Sequence, residues 1–395
     1  MVDSFSFQTR ARTIDHLGRE QIADCPTAIS ELWKNSYDAY ASKVELHILD
    51  GDMPVCALLD DGHGMSREEF QNKWLTVGTD SKASNNSTPD SDRNGKLLRP
   101  KQGQKGIGRL SCAALGHLLL LISKRKDSPF VATLLDWRIF ENPFLMLNDI
   151  SIPLAEFSHK DELTDLMPSL FDSLMGNLWG DGNDVSRDLR LEAAWRIFDE
   201  QETSEGKVTT KSGIENTVIN QSFEQRHLSL WDAIDGPEKH GTAMWIAGIH
   251  DDLKAQLSTE SSQEMDGPEK RARENILQTL SNFTDPFSKD DEPKTDDFTN
   301  SIVAWNGQLC RPIISPEREF GLENFQNLEH VVEGRIDGEG YFHGRVKAFG
   351  EWHDDVTIKP KAIYKTRKDT EFGPFSLRIG SFEYQDRNTS LSDLL

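Results

Sequence analysis

The chain has 395 residues, more than one hydrophobic core usually supports, so we expect two domains. Hydrophobic residues make up 36% of the chain and charged residues 28%, with 9 Trp and 20 Phe, which excludes a disordered chain. The formal net charge of −22 disfavours a general nucleic-acid binder, because phosphodiester backbones repel an acidic surface.

The cysteines and the N-terminal residues indicate the compartment. The four cysteines lie far apart with no CxxC pair, which argues against a zinc site or a disulfide framework. The N-terminal residues contain no apolar stretch of signal-peptide length, and the longest apolar run, Leu118–Ile122, is too short to cross a bilayer. We therefore expect a soluble, cytoplasmic protein with reduced thiols and no membrane partner.

The first predicted helix runs from about Pro26 to Ala41, with proline in the first turn, where it is tolerated. Its segment ELWKNSYDA places Glu31, Asn35 and Asp38 at i, i+4 and i+7, along one stripe. An amide oxygen suits Mg²⁺, and a carboxylate one turn away can orient or deprotonate a water. An ordinary amphipathic helix with a polar face explains the same pattern, so the motif alone leaves both interpretations open.

Two predicted strands follow, and the second ends in the segment DDGHGM, Asp60–Met65. A buried carboxylate at Asp60 can accept a hydrogen bond from the exocyclic amine of adenine, which favours adenine over guanine. Gly62 and Gly64 allow a close ligand approach that a Cβ would obstruct. A tight strand-to-helix turn is the alternative, and His63, between two glycines, is interpreted as a loop residue.

Residues 66–75 are predicted to form a helix capped by Ser66, and residues 79–104 a long polar loop. The segment GQKGIGRLSCAALGHLLLLIS is then predicted to be a glycine turn that opens a buried helix. Backbone amides at such a helix start bind phosphate, and Lys105 and Arg109 add positive charge. Neither GxxxxGK[ST] nor GxGxxG is present, which excludes a Walker A motif and disfavours a dinucleotide fold.

The rest of the chain is predicted to contain an insertion, a connector and a second domain. Residues 155–235 are expected to be an acidic, mainly helical insertion, and TAMWIAGI a strand that begins at Thr242. Residues 251–297 are predicted to form a helical connector ending in a charged linker. From residue 298 to 395, alternating segments separated by glycine turns predict the strands of a second domain. The ending SLSDLL favours a missing C-terminal region.

In this order, ELWKNSYDA, DDGHGM, GQKGIGR and EKHGTAMWI resemble the four boxes of the GHKL superfamily. That superfamily includes topoisomerase ATPase subunits, MutL, the large heat-shock chaperone, the MORC proteins and histidine kinases. The resemblance spans about residues 15–250, and LDWRIFENP and FGPFSLRIGSFEYQD look like segments of bacterial ATP-binding proteins of this class. It implies an α+β fold class: a Bergerat α/β sandwich, a mixed sheet covered by helices, over residues 1–250, followed by a transducer-like α/β domain.

The resemblance also implies roles for single residues. Glu31 is expected to be the general base, Asn35 the Mg²⁺ ligand and Asp60 the carboxylate that recognises adenine. Residues 79–104 would be the lid over ATP. The expected ATP-binding residues are Asn35, Asp38, Asp60, Gly62, Gly64, Met65, Lys82, Gly103, Gln104, Lys105, Gly106, Ile107, Gly108, Arg109 and Thr242.

With ATP and Mg²⁺ as ligands, the resemblance implies an ATP hydrolase whose lid closure drives N-terminal dimerisation, a switch for a partner protein or a DNA-related process. The alternative is a nucleotide-gated scaffold with incidental turnover, a component of phage defence or DNA maintenance. A histidine-kinase role is disfavoured, because the residues before Glu31 contain no helical hairpin with a phospho-acceptor histidine. Relatives send a lysine of the second domain to the γ-phosphate, and the candidates here are Lys347, Lys361 and Lys365.

Overall fold

The computed structural model describes residues 6–77, 88–103, 108–220, 223, 225–231, 236–257, 267–280, 297–314, 325–359 and 374–381. The chain divides into two compact units, Met1–Pro316 and Glu317–Leu395. The first contains an eight-stranded mixed sheet with helices packed on it, and the second contains a four-stranded sheet. The predicted α+β class, a mixed sheet covered by helices and followed by a second domain, is therefore confirmed.

The strands of the first unit are β1 (Lys43–Leu49), β2 (Val55–Asp60), β3 (Gly116–Lys124), β4 (Phe130–Asp136), β5 (Leu154–Phe157), β6 (Gly241–Ile249), β7 (Thr299–Asn306) and β8 (Leu309–Ile314). They are ordered β5-β4-β3-β6-β2-β1-β7-β8. Of the adjacent pairs described, β1 and β7 are parallel and the others antiparallel. Strands β2 and β4 are buried along their whole length, so they need continuous apolar runs, as their sequences show.

The helices of the first unit are α1 (Arg12–Leu17), α2 (Cys25–Asp38), α3 (Arg67–Glu69), α4 (Glu162–Trp179), α5 (Val185–Ser204), α6 (Thr210–Asn220), α7 (Gln225–Leu228), α8 (Asp251–Gln256) and α9 (Gly267–Leu280). Helix α2 begins where Asp24 accepts the Thr27 amide at 2.8 Å, and Ile29, Leu32 and Trp33 bury its apolar side in the core. None of the described helices combines the length and the apolarity that crossing a bilayer requires.

The predicted buried helix after the glycine turn is wrong. Residues Gly108–Ala114 form a short 3₁₀ helix, and Gly116–Lys124 form β3, which pairs with β6 on one side and β4 on the other. A continuous apolar run fits a buried strand and a buried helix equally well by its pattern. Here the strand forms because neighbours on both sides take its backbone hydrogen bonds.

The division between the units differs from the predicted boundary at residue 298. Strand β7 begins at Thr299 and pairs in parallel with β1 from Lys43↔Thr299 to Leu49↔Trp305. Its buried residues, Asn300, Ile302 and Ala304, alternate with partly exposed ones, so one side faces the core of the first unit. The first unit therefore extends to Pro316.

The second unit contains β9 (His330–Ile336), β10 (Phe342–Ala348), β11 (Glu351–Ile358) and β12 (Phe375–Ser381), in the antiparallel order β11-β10-β9-β12. Its described core is small and consists of Phe325, Leu328, Val331 and Phe342. Lys347 donates to the Gln326 carbonyl at 2.9 Å, and the candidates Lys361 and Lys365 lie outside the described residues.

Candidate functional site

The polar stripe of α2 lies against the glycine turn. A Cβ added to Gly108 would stand 3.0 Å from Glu31 Oε2 and 3.6 and 3.8 Å from Asn35 Nδ2 and Oδ1. The Glu31 side chain is 31% exposed, and its Oε1 accepts from Lys34 Nζ at 2.8 Å. The structure therefore brings the carboxylate and the amide of the first motif next to the backbone of the third.

Asp38 holds the start of the same turn. Its Oδ1 accepts the backbone amide of Gln102 at 2.8 Å, and its Oδ2 accepts that of Gly103 at 3.0 Å. A carboxylate that accepts two successive amides fixes the direction of the backbone there. Asp38, predicted to bind ATP, thus positions the loop that enters the glycine turn.

Asp60 is a buried carboxylate at the end of β2. Ser36 Oγ of α2 donates to its Oδ2 at 2.9 Å, and the Gly62 amide donates to its Oδ1 at 2.9 Å. Burial raises the pKa of Asp60 to about 6, although the hydrogen bonds from Gly62 and Ser36 oppose that shift. The result is a fixed acceptor on the α2 side of the sheet.

Asp60 belongs to a polar row across three neighbouring strands. Strand register pairs Asp60 with Thr242, and Thr242 with Ser123. The Ser123 and Thr242 hydroxyls lie 3.0 Å apart, and Ser123 Oγ also accepts the Met65 amide at 2.9 Å. Ser123 was not among the predicted site residues, and its signal in the sequence is a hydroxyl residue directly after the apolar run of β3.

The glycines after Asp60 are required by sterics. A Cβ at Gly62 would stand 2.9 Å from Ala39 Cβ, and one at Gly64, where φ is +66°, would overlap the Lys124 carbonyl. Between them, the His63 ring nitrogen Nδ1 donates to the Gly64 carbonyl at 2.7 Å. Burial lowers the pKa of His63, so this ring stays neutral at pH 7, as suits a loop residue.

On the far side of the glycine turn, the Arg109 guanidinium donates to the carbonyl of Thr76, and burial lowers its pKa. This bond ties the exit of the turn to the segment that precedes the predicted lid. Five other predicted ATP contacts lie outside the described residues: Lys82, Gln104, Lys105, Gly106 and Ile107.

The described part of the predicted lid, residues 88–103, is anchored by Arg99. Its guanidinium donates to the Tyr37 carbonyl at 2.9 Å and to the Asp297 carboxylate, and Lys96 Nζ donates to the Asp297 carbonyl at 2.8 Å. The guanidinium carbon also lies 4.4 Å from the ring centre of Tyr37, 5.5 Å from that of Tyr40 and 5.7 Å from that of Phe298. Residues 88–103 are therefore fixed to the end of α2 and the start of β7, a contact that the sequence did not indicate.

The donor groups at Gly108 fit a magnesium ion. Asn35 offers an amide oxygen and Glu31 a carboxylate beside it, and the glycine leaves the space between them that a Cβ would narrow. Mg²⁺ takes oxygen ligands and keeps several positions for water and phosphate. Asn35 is the residue that would hold the ion, with Glu31 next to it.

The chain is similar to known proteins over part of its length. Residues 24–161 match the family described as histidine kinase-, DNA gyrase B-, and HSP90-like ATPase. The DNA mismatch repair protein MutL of Ehrlichia chaffeensis is 29% identical over 119 residues, which are 30% of this chain and 16% of that protein. The MutL of Anaplasma phagocytophilum is 31% identical over 70 residues, 18% of this chain and 11% of that protein.

The matched part thus spans less than a fifth of either MutL protein. Among solved structures, a crystal structure of the N-terminal domain of a DNA repair protein is similar at 13% identity and a TM-score of 0.37. That similarity covers 83% of this chain and 64% of the other.

The family match covers the elements on which the site is built. Helix α2, β2 and the glycine turn lie inside residues 24–161, and Thr242 lies outside that range but in register with Asp60. The three sequence motifs, their convergence in the fold and the family match agree with one another. Residues 24–161 therefore form an ATPase domain of the GHKL type.

Proposed function

We propose that this protein binds Mg-ATP between α2 and the glycine turn and hydrolyses it, with Glu31 as the general base. The observation that carries the proposal is the approach of Glu31 and Asn35 to Gly108, with Asp60 fixed by Ser36 of the same helix. Helix α2 thereby carries Glu31, which would act on the attacking water, and Asn35, which would bind the metal ion. Its Ser36 also holds Asp60, which would accept the adenine amine.

Adenine would be recognised at the polar row. The Asp60 carboxylate is expected to accept the exocyclic amine, with the Thr242 and Ser123 hydroxyls beside it. The steric limits at Gly62 and Gly64 support a close approach of the base to the backbone. Met65, whose amide is fixed by Ser123, would close one side of the base site.

The phosphates would lie along the glycine turn, Gly103–Arg109. Asp38 orients the backbone at its start, and Asn35 would hold Mg²⁺, which when bound neutralises charge on the phosphate oxygens. Glu31 is expected to orient the attacking water and take its proton. The remaining expected contacts are Lys82, Gln104, Lys105, Gly106, Ile107 and Arg109.

Gly108→Ala is expected to lower ATP hydrolysis roughly 10- to 100-fold, since a misplacement of catalytic groups by about 1 Å costs that much. The added methyl would stand 3.0 Å from Glu31 Oε2 and displace it, whereas the fold tolerates a shift of a partly exposed side chain. The check is kcat together with Tm. The control is Gly338→Ala, where nothing lies within 4 Å of the new Cβ. Equal kcat in the two variants would contradict the placement of Glu31.

We further propose that ATP closes the lid and brings two N-terminal domains together, with the second unit acting as a transducer-like domain. The anchor of Arg99 and Lys96 on Asp297 supports a coupling of the lid to the sheet, because it joins the lid to the start of β7. The similarity to DNA mismatch repair proteins supports a DNA-related process as the output.

Sedimentation of the full chain with Mg²⁺ and a non-hydrolysable ATP analogue tests the switch. The expected result is a doubling of mass that ADP does not produce. An unchanged mass with the analogue bound would contradict the switch and leave the ATPase proposal standing. A scaffold with incidental turnover is the second candidate, favoured by the exposed apolar residues of the helical insertion. It predicts that partner binding needs ATP and survives Glu31→Gln.

A further inference from the structure

The chain that leaves helix α2 carries backbone strain at Tyr40. This residue has a φ of +59°, in the left-handed region, just beyond the end of the helix, where glycine is usual. Its amide donates to the Tyr37 carbonyl at 2.9 Å, and its side chain is buried. Since glycine would adopt this conformation without strain, a tyrosine here indicates that its side chain is needed.

The Tyr40 side chain contacts the segment of residues 88–103. Its hydroxyl accepts the Arg99 amide at 3.1 Å, and its carbonyl accepts Asn94 Nδ2 at 3.1 Å. The Arg99 guanidinium donates to the Tyr37 carbonyl at 2.9 Å and lies against the Tyr37 and Tyr40 rings. A cation at the last carbonyls of a helix is also favoured by the helix dipole. Arg99 is therefore bound to the end of α2 through both its backbone and its side chain.

Asp297 holds the same guanidinium from the start of β7. Its carboxylate pairs with Arg99, and Lys96 Nζ donates to its carbonyl at 2.8 Å and lies 3.6 Å from its Oδ2. The Arg99 side chain is 2% exposed and that of Lys96 12%. A cation so far out of water needs a charged partner, and Asp297 supplies it to both.

The residues that follow Arg99 lead into the glycine turn. Gln102 and Gly103, three and four residues further on, donate their amides to the Asp38 carboxylate of α2. Four residues span at most about 14 Å, so Arg99 and Asp38 hold the two ends of one short segment against the same helix. A displacement of Arg99 would therefore be transmitted to Gly103.

We propose that Arg99 is a positioning residue of the nucleotide site. It fixes the point at which the chain enters the glycine turn, and it does so relative to α2, which carries Glu31 and Asn35. The backbone of the turn and the side chains of the helix are thereby kept at one spacing around the phosphates. Arg99 acts through the backbone of residues 99–103. The inference rests on the proposed function, because that function places the phosphates along this turn.

Arg99→Gln is expected to raise KM for ATP about 10-fold and to change kcat less than about 3-fold, because the backbone at the phosphates moves while Glu31 stays on its helix. Without nucleotide, amide hydrogen exchange over residues 96–103 is expected to become about 10-fold faster, as Gln102 and Gly103 lose their fixed geometry. Asp297→Asn keeps the guanidinium and removes its counter-charge. It is expected to shift KM and exchange in the same direction by less, and it provides the test if Arg99→Gln does not fold.

Arg138→Gln is the matched control, since it removes another buried ion pair away from the site. Arg138 pairs with Asp136, which lies opposite Leu118, whereas Ser123 of the polar row lies near the other end of β3. The control is expected to lower Tm and to leave both KM and the exchange of residues 96–103 unchanged. Unchanged KM and exchange in Arg99→Gln, or equal changes in the control, would overturn the positioning role. If the wild type did not hydrolyse ATP, the proposed function would fall, and the exchange comparison alone would decide whether Arg99 positions the turn.

Discussion

Glu31→Gln is expected to lower kcat for ATP hydrolysis by about 10²- to 10⁴-fold, the usual contribution of a general base, while ATP affinity changes little. The amide keeps the size of the side chain beside Gly108 but cannot take a proton from water. Steady-state hydrolysis and equilibrium binding of a fluorescent ATP analogue, measured on the same preparations, check both parts.

The control for this variant is Lys34→Gln. Glu31 is paired with Lys34 at 2.8 Å, so Glu31→Gln also removes that ion pair, whereas Lys34→Gln removes the pair and keeps the carboxylate. We expect Lys34→Gln to retain most of the activity. If the two variants lost activity equally, the ion pair and not the base would be what matters.

Asp60→Asn is expected to abolish measurable ATP binding, a loss of about 10²-fold or more, because a buried acceptor would be replaced by an amide beside the adenine amine. Asp61→Asn is the matched control. Asp61 accepts the backbone amides of Ser42 and Lys43 at 2.7 and 2.9 Å, away from the polar row. Binding by isothermal calorimetry should persist in the control, and its loss there would show that any change in this turn has the same effect.

Asp60→Asn, which is expected to lose ATP binding, is also expected to make the folded protein more stable at alkaline pH. Burial raises the pKa of Asp60 to about 6, above its unfolded value, so its stabilising contribution is complete below pH 4 and lost as the pH rises through 6. At pH 8 the ionised carboxylate costs roughly 3 kcal/mol at most, which Asn does not incur. Urea unfolding should therefore show equal stability at pH 4 and a more stable Asp60→Asn at pH 8. If Asp60→Asn were less stable than the wild type at pH 8, the buried Asp60 carboxylate would not destabilise the fold when it ionises.

Local features of this fold were predictable from the sequence. The first helix was placed within a few residues, because Pro26 and the apolar spacing act within single turns. Ser66 forms the predicted cap: its Oγ accepts the Glu69 amide at 3.3 Å, and the Glu69 carboxylate accepts the Ser66 amide at 3.1 Å. The placement of Glu31 and Asn35 on one helix and of Asp60 at a strand end was predicted correctly, because their spacing reflects these elements, whereas their roles in binding ATP stay a prediction.

Features that depend on distant pairing were not predictable. The apolar run of β3 became a strand only because β4 and β6 flank it, and Ser123 joined the polar row through that register. The position of β7 beside β1 depends on residues about 250 positions apart. Arg99 contacts Asp297 across a similar separation, and no local pattern marks either residue.

Mg-ATP binding and hydrolysis, compared in the wild type, Glu31→Gln and Asp60→Asn, decide whether α2 and β2 form an ATP site. We expect that the wild type binds and hydrolyses ATP, that Glu31→Gln binds ATP without hydrolysing it, and that Asp60→Asn, still folded, does not bind ATP. Hydrolysis at the wild-type rate by Glu31→Gln, or unchanged ATP affinity in Asp60→Asn, would contradict this expectation.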